Sequence, residues 1–203
     1  MLIFTLSYIH NNILEEDQYC HDFAVPTEYY PGIDLISKII LTDEQILDNI
    51  TASLVKASKG SYYVEPLEFI HKHVFSVLYV PCNLPNNLPP IVINTIETFD
   101  DAKFNQIIQQ CTNVFELYNI APICVIIVAQ ELDESNVELS SVHQELSFLR
   151  EIPCAFWARQ CLLVSSKDSR INKSKLKYHP LLEIIIAITS NDKAILCNND
   201  LND

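Results

Sequence analysis

Pro89-Pro90-Ile91-Val92-Ile93-Asn94-Thr95-Ile96-Glu97-Thr98-Phe99 opens the stretch that decides the fold. Ile91 to Thr98 is rich in β-branched residues, and Pro90 stands at its entry, where a missing N–H is tolerated. A strand is expected there. Asp100 then caps a long helix in which Phe104, Ile107, Ile108, Cys111, Val114, Phe115 and Tyr118 form the clearest apolar stripe in the chain. Pro122 stops that helix. Ile123 to Ala129 is a nearly unbroken apolar run, the pattern of a central strand covered on both faces. Strand, helix and strand at this spacing make a parallel βαβ crossover, for which a right-handed connection is the rule.

Working outward, Val74 to Val80 predicts another strand, with Val77 and Tyr79 on one face and Ser76, Leu78 and Val80 on the other. Pro81, Pro85, Pro89 and Pro90 punctuate the loop after it, and Asn86 and Asn87 add turn character. Ser61 to Val64 is β-prone. Before it, Thr42 can cap a helix beginning at Asp43, with Ile46, Leu47, Ile50, Leu54 and Val55 at helical spacing and Gly60 as its stop. Ile33 to Leu41 reads as a short helix, and Met1 to Tyr30, without sustained period, as an arm or a short helix. Downstream, Glu131 to Glu138 reads as loop, Val142 to Leu149 as a short helix, and Pro153 to Ser165 as a strand near the sheet edge. Pro180 to Ile188 is apolar and helical in pattern, and a polar tail begins at Asn198. The expected fold is α/β: a mixed central sheet with a parallel βαβ unit flanked by helices. The chain divides into an N-terminal helical region (1–60), an α/β core (61–197) and the tail (198–203).

Composition narrows the function classes. Of 203 residues, 49% are hydrophobic and 19% charged, which suits a packed domain rather than a disordered chain. There are only 2 glycines, so no glycine-rich phosphate loop or dinucleotide fingerprint exists. The formal net charge of -13 repels a phosphate backbone at long range and disfavours nucleic acid as a general partner. The local exception is Lys167, Arg170, Lys173, Lys175 and Lys177, a basic cluster that reads as a solvated loop or as a phosphate contact. Seven cysteines at irregular spacing, with no CxxC pair, fit reduced thiols and not a zinc site. Met1 to Ile9 lacks the basic region and cleavage site of a signal peptide, and no apolar run is long enough to span a bilayer. These features predict an intracellular location, nuclear or cytoplasmic, with no membrane partner.

Val77-Leu78-Tyr79-Val80, Pro89 to Phe104, Cys111-Thr112-Asn113-Val114-Phe115 and Ile152-Pro153-Cys154-Ala155-Phe156-Trp157-Ala158 are similar to segments of the PD-(D/E)XK nuclease superfamily. The chain most resembles its transposase-like relatives abundant in fungal genomes. The resemblance runs from Phe75 to Ile188 and implies a restriction-endonuclease-like core. In that family one carboxylate ends a first strand. A second carboxylate and a Lys or Gln lie two positions apart on the next, hence on one face. The carboxylates hold Mg²⁺, and the Lys or Gln positions the attacking water.

Carried onto this chain, the first acid position falls at Phe75 or Ser76, the second at Asn94, and the Lys or Gln position at Ile96. The helix positions that carry a basic and an aromatic residue in the family fall at Gln109 and Gln110. None holds the family's residue. Asn offers a neutral carbonyl without the charge a hard cation needs, and Ile cannot orient water. The resemblance therefore implies a catalytically inactive, transposase-derived pseudoenzyme that works through a protein partner and needs no cofactor. A working Mg²⁺-dependent nuclease would require migrated ligands, drawn from Glu97, Asp100 and Asp34, or from Glu65. Glu97 should face away from Asn94 and Ile96 and reach them only through a bulge. The simpler reading places Glu97 in solvent and Asp100 as a helix cap.

Other constellations are weaker. His71 and His73 would share a strand face, as a metal half-site does, but no third ligand accompanies them. Cys20-His21-Asp22 are adjacent, whereas a catalytic triad converges from separate elements. Ser140 and Ser141 near His143 lack nucleophile-elbow glycines. Trp157 is read as a core or edge aromatic in preference to a stacking platform.

Overall fold

The computed structural model describes residues 33–65, 75–83, 88–130, 132, 140–165 and 179–189, with the side chains of 33–35 excepted. The N-terminal arm, the Cys20-His21-Asp22 triplet, His71, His73, the basic cluster and the polar tail lie outside the described residues.

The elements run α1 (Ile33–Thr42), α2 (Glu44–Val55), β1 (Tyr62–Glu65), β2 (Phe75–Pro81), β3 (Ile91–Ile96), α3 (Asp101–Tyr118), β4 (Ile123–Val128), β5 (Ser141–Val142), β6 (Arg150–Ile152), β7 (Gln160–Val164) and α4 (Pro180–Thr189). The seven strands form one mixed sheet in the order β1-β2-β3-β4-β7-β6-β5. β1–β2 and β2–β3 are antiparallel, β3–β4 and β4–β7 parallel, and β7–β6 and β6–β5 antiparallel. The parallel βαβ unit expected from the sequence is β3–α3–β4.

Alternation along the strands builds two cores. Val77, Tyr79, Ile91, Ile93, Val125 and Ile127 face the layer of α1, α2 and α4. Leu78, Val80, Val92, Ile96, Cys124 and Ile126 face α3, which buries Ile107, Cys111 and Val114 against them. Every residue of β3 and of β4 is buried, as a strand apolar on both sides must be. The loop 153–158 covers the rest of the α3 face: Trp157 meets Phe104 edge-on at 5.8 Å, and Phe104 meets Phe99 at 5.3 Å. On the opposite face, Tyr79 Oη donates to Leu41 O at 2.7 Å, tying α1 to the sheet.

Several boundaries differ from the sequence reading. Asp43, not Thr42, caps α2: its carboxylate accepts from Gln45 N and Ile46 N at 2.9 and 3.1 Å. Thr42 instead ends α1 and donates to Lys38 O. α2 stops at Val55 with Lys56 in the left-handed region (φ 57°), before Gly60 is reached. Gly60 serves the following turn at φ 73°, with its N–H on Asp48 Oδ1 at 2.8 Å. β3 ends at Ile96, where its pairing with β4 ends at Val128.

Val142 to Leu149 is not a helix. Val142 pairs with Arg150 in an edge hairpin, and His143 N donates to Leu149 O, closing the turn. An eight-residue segment gains few intrahelical bonds for its nucleation cost, so tertiary burial of Leu146, Phe148 and Leu149 wins. Pro153 to Ser165 is also not one strand: β6 ends at Ile152, a turn follows, and β7 begins at Gln160. β7 lies inside the sheet between β4 and β6, not near its edge, which accounts for four consecutive buried residues after Gln160.

Candidate functional site

β2 and β3 are antiparallel neighbours, and their register sets Ser76 directly opposite Asn94. Both side chains point to the α3 face, where α3 lays Gln110 across them. Ser76 Oγ lies 2.7 Å from Asn94 Oδ1 and 3.0 Å from Gln110 Oε1. Asn94 Nδ2 lies 3.6 Å from Cys124 Sγ on β4. A hydroxyl has one proton and cannot donate to both oxygens. With Oε1 toward Ser76, moreover, the Gln110 amide nitrogen is buried with no acceptor among the described residues. Turning that amide gives each contact its own donor, with Gln110 donating to Ser76, Ser76 to Asn94, and Asn94 to Cys124.

The centre of the cluster is closed: Asn94 is 0% exposed, Gln110 2% and Ile96 1%, while Ser76, near the start of β2, is partly exposed. It is also neutral, since none of Ser76, Asn94, Ile96 and Gln110 ionises. Beneath it Cys124 pairs in register with Cys161 of β7, and Cys111 of α3 is buried in the same core. Burial pushes the Cys124 thiol well up, and the adjoining Cys111 and Cys161 thiols reinforce the shift. A thiol held in its protonated form is a poor metal ligand and a poor nucleophile. Among the described residues, no group of three or more His, Cys, Asp or Glu is arranged to hold a metal ion.

Glu97 and Asp100 do not reach this point. Glu97 lies just past the end of β3, exposed, with its carboxylate 3.4 Å from Gln130 Nε2. Asp100 is the α3 cap: Oδ1 accepts from Lys103 N at 2.9 Å, and Oδ2 pairs with Lys103 Nζ at 2.9 Å. Lys103 donates both bonds and holds the Asp100 carboxyl below its usual range. The ammonium is further engaged by Thr98 O and Oγ1. Asp34 sits in the first turn of α1, and its side chain lies outside the described residues. Glu65 ends β1, the strand beyond β2.

Asp100 thus has a structural duty that can be measured. Asp100→Ala should cost about 0.5–2 kcal/mol in denaturant unfolding. Because the folded carboxyl titrates low, the stabilisation is present above the ordinary Asp range and fades as pH falls through it. A variant as stable as the parent at neutral pH would remove the capping role.

The sequence reading took Gln110 as an altered family position on the helix and Cys124 as strand core, neither as a member of a polar cluster. One signal could have revealed Cys124: in a parallel β3–β4 pair it lies two residues before the partner of Asn94, on the same face. Trp157 is half-buried against Phe104, as expected of a core aromatic. Its neighbour Phe156 is 100% exposed, which composition and period did not indicate.

No protein-family model matches the chain, and no curated protein or solved structure matches it either. No helix among the described residues is long and apolar enough to cross a membrane.

Proposed function

We propose that this protein is a degenerate PD-(D/E)XK nuclease-like scaffold that does not cleave nucleic acid and acts through protein contacts. The observation that carries the reading is the Ser76–Asn94 pair. The two positions at which the resemblance calls for carboxylates meet across β2 and β3, hydrogen-bonded and uncharged, with Asn94 fully buried and Ser76 partly so. Residues picked from the sequence by likeness to a metal site come together in space, which favours the shared framework. Their chemistry there is that of a core. A hard cation needs anionic oxygen and room for its waters, and this cluster offers neither. Contacts with a protein are favoured by the fully exposed Phe156 and by the exposed Leu117, Tyr63 and Phe115. Large apolar side chains in solvent are the usual anchors of an interface. The strong negative charge works against a general grip on DNA or RNA.

A cleavage assay on the purified protein tests this. Single- and double-stranded DNA at low salt with Mg²⁺ or Mn²⁺ should show no cleavage above a chelator control. Cleavage that EDTA abolishes, and that Glu97→Ala or Asp100→Ala removes, would overturn the reading and locate a displaced active site.

A further inference from the structure

The hairpin at the far edge of the sheet is held by two imidazoles. His143 follows β5, and its Nδ1 accepts from Glu145 N at 3.1 Å and Leu146 N at 3.0 Å. Two donors on one nitrogen fix it as an acceptor, so the ring proton sits on Nε2, which faces Glu151 Oε1 at 3.6 Å. His179 stands at the head of α4, with its ring against Phe148 at a centroid distance of 5.1 Å. Its Nδ1 is buried and has no hydrogen-bond partner among the described residues. Between the two rings the turn buries Leu146, Phe148 and Leu149.

We propose that His143 and His179 form an acid-operated latch on residues 140–152, closed while both imidazoles are neutral and released when they take up protons. A proton on His143 Nδ1 would turn an N–H toward two N–H donors and abolish both bonds. Glu151 would attract the new charge, but it is partly exposed and already accepts from Gln160 Nε2, so that return is small. Arg150, the cation on the same hairpin, is engaged by Ser140 Oγ at 2.8 Å. Across from His179, α2 presents Lys56, whose ammonium is 3.5 Å from Glu145 in an exposed pair. On its own helix the acidic residue is Glu183. Burial, and then Lys56, push the His179 imidazole below its ordinary range. Because the His179 imidazole is held low in the closed form, that form loses stability as pH falls through the ordinary histidine range. Release uncovers Leu146, Phe148 and Leu149 and frees the edge of β7 that β6 covers. Acidification would then present apolar surface and an unpaired strand, the two features that recruit another chain.

Hydrogen exchange on the full chain tests the latch. The amides of His143, Leu146 and Leu149 are followed against those of β3 and β4, at about pH 7.5 and about pH 5, with intrinsic rates removed. Protection of the three should fall about tenfold or more relative to β3 and β4 on acidification. In the double variant His143→Asn with His179→Phe, the fall should shrink to within about twofold. Asn places Oδ1 where Nδ1 accepts, and Phe keeps the ring contact without a titrating group. Unchanged relative protection in the parent overturns the latch, as does an equal fall in the double variant. Should the double variant not fold, each single variant must remove part of the pH dependence, and neither doing so also overturns it.

Discussion

Asn94→Asp is expected to destabilise the protein by about 3–5 kcal/mol at neutral pH, because it buries a charge among neutral side chains. The substitution restores the residue type that the nuclease resemblance calls for, and it adds no volume. In an open cleft it would be nearly neutral. Here the carboxylate would meet only Ser76, Gln110 and Cys124. Burial would raise its folded pKa above the unfolded value of about 3.9. Below that pH the acid is protonated in both states and the variant approaches the parent. The loss grows as pH rises through the window between the two values and is complete above the folded one. Urea unfolding near pH 4 and near pH 7 measures both limbs. A variant as stable as the parent at neutral pH would show that position 94 reaches water, and the sealed-core account would fail.

Phe148→Ala should cost about 3–5 kcal/mol, the range for emptying a fully buried aromatic site. Phe148 is 1% exposed and belongs to the core shared by α1, α2, α4 and the sheet. Although it sits in an edge hairpin, its ring is the hairpin's hold on that core. Denaturant unfolding should show a lower midpoint with the same slope. A loss below about 1 kcal/mol would mean that the hairpin opens separately from the rest and contributes little to cooperative stability.

The β3–α3–β4 unit was legible because its signals agree. A β-branched run, a capping aspartate, a stripe at helical period and a proline stop all point to one structure. The hairpin 140–152 was not, because its apolar residues fall at spacings that suit either a helix or a turn folded onto a core. Only the contact with Phe148 and the His143 cap decide between them. The interior place of β7 was missed for a related reason. Pro153, Phe156 and Trp157 looked like the start of a strand, yet they form the loop that covers the α3 face. At the candidate site family likeness singled out Ser76, Asn94 and Ile96, but gave no sign of the burial of Asn94 and Ile96. Closure depends on Gln110 arriving from α3, and a helix's rotation about its own axis cannot be read to one residue from its stripe.

The thiols packed beneath Asn94 make this protein a reporter of its own opening. Cys111, Cys124 and Cys161 are buried, whereas Cys82 is exposed beside β1. An alkylating reagent can reach the first three only in molecules that have parted α3 from β4 and β7, while Cys82 is modified at the pace of free solvent. The ratio of the two labelling rates is thus an internal clock for how often the α3 layer lifts, read from native thiols with no cysteine introduced.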